Sequence, residues 1–123
     1  MFKRIDHVAL HVTDVAAAAK FYTETFGFKK VFDAPGTGGH PIVYIQLGEG
    51  MIELTQRTVA EPMSGFHLCL QPADFDAALA ALHARNLPLV TEARPTSPRG
   101  PLEEGFRRAV FRGPQGELIE IRG

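Results

Sequence analysis

Two histidines and two glutamates stand in matching places along the chain, and together they could hold a divalent metal ion. His7 lies in Ile5-Asp6-His7-Val8-Ala9-Leu10 and His67 in Gly65-Phe66-His67-Leu68-Cys69-Leu70, sixty residues apart. Glu53 lies in Met51-Ile52-Glu53-Leu54 and Glu120 in Leu118-Ile119-Glu120-Ile121. Each segment alternates apolar and polar residues, the period of a strand with one buried face. Two carboxylates and two neutral imidazoles match a doubly charged cation. Without one, converging carboxylates repel and one must take up a proton. Mixed nitrogen and oxygen donors suit zinc, nickel, cobalt, manganese or ferrous iron, and no thiolate in the set selects a softer ion. Polar residues alternate outward on any solvated sheet face, so one such His or Glu alone carries little weight. Like residues in like places carry more.

The elements that must position them also repeat. Asp14 and Asp74, again sixty apart, each precede a helical pattern, and Asp is a favoured N-cap because its carboxylate accepts the first free amides. The first pattern runs through Ala18, Ala19, Tyr22 and Phe26 to Gly27; the second through Phe75, Ala78, Leu79 and Leu82 to Asn86. Each has one apolar stripe and ends on a residue that tolerates a left-handed cap. Strands are expected near 28–32, 41–47 and 50–56, and near 87–93, 106–112 and 116–121. Gly48-Glu49-Gly50 and Gly113-Pro114-Gln115-Gly116 make the matching hairpin turns. The pattern predicts an α+β fold of two tandem βαβββ modules, 1–60 and 61–123, in one domain of residues 1–123. Such a module buries too little alone, and pairing two gives a continuous core.

Strand phase assigns faces. Val8, Leu10 and Val12, Ile52 and Leu54, Phe66, Leu68 and Leu70, and Ile119 and Ile121 are expected to face the helices. His7, His11, Glu53, Thr55, His67, Cys69, Glu120 and Arg122 then share the opposite faces. Segment 94–105, with three prolines, reads as a loop long enough to be a lid or a solvated excursion. Arg108 and Arg112 alternate with Val110 and could offer guanidinium to a substrate carboxylate, or simply be solvated. Tyr44 and Gln46 could line the site or its rim. Cys69 reads as a small buried thiol, since no base and orienting group accompany it. His40 and His83 read as structural or solvated.

Composition excludes several classes. A net charge of −1 over 123 residues argues against nucleic acid, whose binders carry an excess of cations. The longest wholly apolar run is six residues, Ala77 to Leu82, against roughly 20 for a bilayer span. The N-terminal residues lack the apolar core of a secretion signal. A single cysteine cannot form an intrachain disulfide, so the cytoplasm is the expected location.

At these residues the chain resembles the glyoxalase/bleomycin-resistance/extradiol-dioxygenase group, the vicinal-oxygen-chelate superfamily. The resemblance rests on Ile-Asp-His-Val-Ala-Leu at 5–10, Lys20-Phe21-Tyr22 leading to Phe26-Gly27-Phe28, Met-Ile-Glu-Leu at 51–54, Gly-Phe-His-Leu at 65–68 and Gly-Pro-Gln-Gly-Glu-Leu-Ile-Glu-Ile at 113–121. It implies paired βαβββ modules whose sheets curl into a cup-shaped mixed sheet around one divalent ion. The family's ligand positions fall on His7, Glu53, His67 and Glu120. In several members the modules pair across a dimer interface, which implies a homodimer. The His/Glu/His/Glu set is similar to glyoxalase I, whereas related epimerases carry Gln at the position of Glu53. Ring-cleaving dioxygenases use only the equivalents of His7, His67 and Glu120, with iron.

The resemblance therefore implies a lactoylglutathione lyase-like enzyme or related isomerase. It would move a proton next to a metal-chelated carbonyl of a small-molecule substrate, with Glu120, or else Glu53, as the base. An iron-dependent dioxygenase and a non-catalytic, resistance-type binding protein are the alternatives. Bacterial glyoxalase I has Arg where this chain has His11 and Asn where it has Arg57, so glutathione need not be the substrate. His11, Arg57 and Arg108 are the candidate substrate contacts.

Overall fold

Two aspartates start the two helices of the computed structural model, which describes residues 1, 3–59, 61, 63 and 65–123, with only the backbone of Thr37. Asp14 Oδ1 accepts from Ala17 N, and Asp74 Oδ1 from Ala77 N, both at 2.9 Å. Each cap is worth about 1 kcal/mol. They open α1 (Val15–Phe26) and α2 (Phe75–Ala84). α1 ends on Gly27 at φ 76°, and the turn after α2 places Asn86 at φ 55°. That conformation suits Gly and Asn and few other residues.

The chain divides into two compact units, Met1–Glu61 and Pro62–Gly123. The first runs β1 (Val8–Val12), α1, β2 (Lys29–Ala34), β3 (Ile42–Leu47) and β4 (Gly50–Gln56), and its sheet has the order β1-β4-β3-β2. The second runs β5 (His67–Leu70), α2, β6 (Leu89–Pro95), β7 (Arg107–Arg112) and β8 (Leu118–Arg122), ordered β5-β8-β7-β6. In each, the first strand pairs parallel to the last and the other pairs are antiparallel. The fold is thus α+β with two tandem βαβββ modules, as the spacing predicts, and each module builds its own four-stranded mixed sheet.

The apolar stripes do what their period requires. Val15, Ala18, Ala19 and Tyr22 of α1 are buried, with Ile45 and Leu54 of the sheet beneath fully enclosed. In the second unit Phe75 and Leu82 of α2 are buried with Phe111, Ile119 and Ile121. His83 packs edge-on against Phe111 at 5.6 Å, a structural role. No helix among the described residues is long and apolar enough to cross a membrane.

Three expectations need correction. Val8, expected in the core, is 42% exposed, because it opens its strand while Leu10 and Val12 are the residues enclosed. Cys69 is exposed rather than buried, because β5 is an edge strand of its sheet. Segment 94–105 is not a free excursion. β6 continues through Pro95, which an edge strand tolerates, and a 3-10 turn follows at Pro101–Glu103. Glu103 accepts from Arg99 N at 2.7 Å and Arg99 Nε at 2.8 Å, and pairs with Arg122 Nη2 of β8 at 2.9 Å.

The Arg99 hydrogen bonds, then those of Arg122, hold the Glu103 carboxyl well below the usual carboxylate range. Its folded pKa therefore lies below its unfolded one. The ties stabilise the protein above the unfolded value, and that effect is lost as pH falls toward the folded one. The difference in melting temperature between the parent and Glu103→Gln is expected to shrink as pH is lowered from about 5 toward 2. Thermal unfolding across that range is the check; a constant difference would mean that the pairs do not hold the turn.

Candidate functional site

Register places the first carboxylate. The tight turn between β3 and β4 pairs Leu47 with Gly50, which sets Tyr44 opposite Glu53, while the parallel pairing sets Ala9 beside Glu53 and His11 beside Thr55. The Tyr44 hydroxyl donates a short hydrogen bond to Glu53 Oε2, and the Thr55 hydroxyl donates to Oε1 at 2.7 Å. These bonds, Tyr44 foremost, hold the Glu53 carboxyl below its ordinary value, and the same bond pushes the Tyr44 phenol up. His7 Nε2 lies 3.4 Å from Glu53 Oε2, and its Nδ1 lies 3.0 Å from Asp6 Oδ2. Tyr44 meets the His7 ring edge-on at 5.6 Å. A carboxylate on Nδ1 favours the proton there and leaves Nε2 with a free lone pair, the arrangement that metal-binding histidines use.

His11 and Arg57, expected to touch substrate, are engaged with each other. Arg57 Nη2 lies 3.4 Å from His11 Nε2, and His11 Nδ1 lies 2.7 Å from Glu61 Oε2. Both remain on the first unit with His7 and Glu53.

In the second unit Glu120 sits on an inner strand and is 7% exposed. Its Oε2 lies 3.9 Å from His67 Nε2 and accepts from Arg108 Nη1 at 3.3 Å. Arg108 therefore orients the carboxylate instead of lying free in solvent. Arg112 donates to the Gly116 carbonyl at 3.1 Å and braces the turn. Parallel pairing sets Cys69 beside Glu120. Partial desolvation, then the Glu120 carboxylate, pushes the thiol up and away from thiolate chemistry.

Each unit thus brings together one of the sequence-predicted pairs, His7 with Glu53 and His67 with Glu120. Among the described residues no group of three or more His, Cys, Asp or Glu is arranged to hold an ion. The donor chemistry nonetheless fits one. In each pair an imidazole Nε2 faces a carboxylate oxygen, and two lone pairs so placed attract a cation. Asp6 and Thr55 were not singled out as partners from sequence. Thr55 was legible at two residues from Glu53 on the same strand face. Asp6 had only its adjacency to His7 as a signal.

Residues 4–121 match the family described as the Glyoxalase/Bleomycin resistance protein/Dioxygenase superfamily. The uncharacterized protein YwbC of Bacillus subtilis (strain 168) is 32% identical over 128 residues, 98% of each chain. Among solved structures, the fosfomycin resistance protein FosX from Listeria monocytogenes shares the fold with a TM-score of 0.77 at 16% identity, covering 99% of this chain and 93% of that one. TnmS3, an antibiotic binding protein from Streptomyces sp. CB03234, does so with a TM-score of 0.74 at 26% identity, covering 98% and 94%.

Removing either donor to Glu53 should raise its carboxyl pKa toward the ordinary value, Tyr44→Phe more than Thr55→Val. Side-chain carboxyl carbon shifts followed against pH would read it. An unmoved titration in both variants would show that these bonds do not set the ionisation.

Proposed function

The chain belongs to the glyoxalase/bleomycin resistance protein/dioxygenase superfamily, and from that premise we propose that it is a divalent-metal-dependent lyase or isomerase of the glyoxalase type. His7, Glu53, His67 and Glu120 are the proposed ligands, and a homodimer is the proposed working form. The observation that carries this reading is the repeated pair: in each unit, a His at or just before the start of the first strand presents Nε2 to Oε2 of a Glu in the last strand, at 3.4 Å and 3.9 Å. A set with two carboxylates and two imidazoles suits zinc, nickel, cobalt or manganese. A FosX structure holds Mn(II), which supports a divalent ion on this fold.

Such an ion supplies Lewis acidity, which lowers the cost of negative charge on a neighbouring carbonyl oxygen. The remaining work falls to the chain. Asp6 orients His7 through Nδ1. Tyr44 and Thr55 fix both oxygens of Glu53, which suits a stationary ligand. Glu120 is steered by Arg108 at 3.3 Å and is the freer of the two carboxylates. It is the proposed base: it takes a proton from the carbon next to the carbonyl and returns it to the adjacent carbon. Glu120 is 7% exposed, so its carboxylate is held against the sheet yet still reaches solvent, with which the abstracted proton can exchange.

TnmS3, at 26% identity, favours a second reading in which the chain only binds a small molecule. Elemental analysis of the purified protein separates the two. The enzymatic reading expects roughly one zinc, nickel, cobalt or manganese per set of four ligands. It also expects metal-dependent incorporation of solvent deuterium into small α-hydroxy ketones or hemithioacetals. A protein that carries no metal and exchanges no proton is a binding protein. Two variants probe the roles. Asp6→Ala should weaken metal affinity by about 10- to 100-fold. Glu120→Gln should slow exchange by about 10²- to 10⁴-fold while the folded state persists by circular dichroism. Full exchange activity in both Glu120→Gln and Glu53→Gln, with the ion bound, would remove the acid–base role.

A further inference from the structure

A cavity of about 180 Å³ opens in the second unit, lined by Cys69, Gln71, Arg99, Phe106 and Arg122. Arg122 is only 8% exposed. Its Nη2 donates to the Ser97 carbonyl at 3.0 Å and pairs with Glu103 Oε2 at 2.9 Å. Its Nη1 is buried with no hydrogen-bond partner among the described residues. A guanidinium stays charged throughout the accessible pH range, and a buried donor left without an acceptor is costly. The Phe106 ring beneath it, 5.5 Å from the guanidinium carbon, restricts where that charge can point.

Charge around the cavity agrees. Arg99 and Arg122 share the single carboxylate of Glu103, and Arg108 takes that of Glu120. Three guanidiniums against two carboxylates leave one positive charge unmatched. Arg122 stands two residues beyond Glu120 on the same face of β8, so the unmatched donor and the candidate base are neighbours.

We propose that this cavity binds the anionic oxygen group of the substrate, a carboxylate or a phosphate-type group, with the Arg122 guanidinium that lines it as the principal donor and Arg99 at the rim. The assignment of that anion to a substrate rests on the enzymatic reading above; the anion site itself stands on the second unit alone. Carboxylate and phosphate oxygens match the planar fork of a guanidinium. The volume admits one small group and excludes a polyanion chain.

The chain's one cysteine lines the cavity and is exposed, so it reports occupancy. The full chain, as purified, is titrated with acetate and with inorganic phosphate at constant ionic strength. Amide NMR shifts and the rate of Cys69 alkylation by iodoacetamide, a neutral reagent, are followed. At least one anion should give saturable shifts at Cys69, Phe106 and Arg122 and slow the alkylation, while chloride does neither. Arg122→Gln should abolish the effect. Because that change touches a buried group and can cost folding, Arg99→Gln, on an exposed side chain, is the second arm and should weaken binding by about tenfold. The titration is repeated after the metal is stripped and the chelator removed. Persistence there supports the guanidinium site, and if the purified chain holds no metal, only the enzymatic reading fails. No saturation, an equal response to chloride, unchanged affinity in Arg99→Gln, or loss of binding on stripping would overturn the proposal.

Discussion

A carboxylate oxygen facing an imidazole nitrogen across 3.4 to 3.9 Å attracts a cation, and this constraint recurs in both halves of the molecule. Its origin lies in topology. In each unit the first strand runs parallel to the last, β1 along β4 and β5 along β8. A parallel pair needs a crossover, which here carries the helix and two further strands. The crossover covers one face of the sheet, and the polar residues of the paired strands are left on the other. A His at or before the start of the first strand and a Glu within the last then meet with no further requirement on the loops.

The two copies of the constraint are not used alike. Glu53 is tied by two neutral hydroxyl donors and lies beside a histidine that Asp6 orients. Glu120 is more deeply buried, answers to one guanidinium, and faces a histidine whose side chain is 57% exposed. Neutral donors fix a carboxylate in place and leave its charge available to a ligand. A guanidinium competes for that charge and can be displaced by a substrate anion. Duplication thus explains the shared positions, and the residues opposite each Glu, Tyr44 in one unit and Val110 in the other, explain the divergence.

Much of this was legible in the sequence, for local reasons. Asp caps, left-handed terminators and the stripe between them depend only on neighbours along the chain, so both helices emerge where the pattern puts them. A tight hairpin fixes register, but the turn expected at Gly48-Glu49-Gly50 closes one residue earlier, on Gly48-Glu49, and only that shorter turn sets Tyr44 opposite Glu53. What was not legible depends on which strands lie at an edge. Val8 and Cys69 alternate correctly yet are exposed, because alternation assigns a face and cannot say how fully that face is covered. The pairing of His11 with Arg57 and Glu61 was hidden for a different reason: three long polar side chains have many rotamers, and sequence spacing does not choose among them.

Segment 94–105 was the least legible part, and it matters most for the second unit. Three prolines predict irregular backbone and say nothing of where it goes. Its path is set by one carboxylate, Glu103, which turns back to Arg99 and reaches Arg122 on β8. That contact engages Nη2 of a guanidinium whose residue is only 8% exposed, while Nη1 has no acceptor among the described residues. A guanidinium packed only for stability would have all its buried donors met, since each unmet one works against folding. The cavity beside Arg122 gives an acceptor from outside the chain, an ordered water or a bound anion, room to lie against the guanidinium.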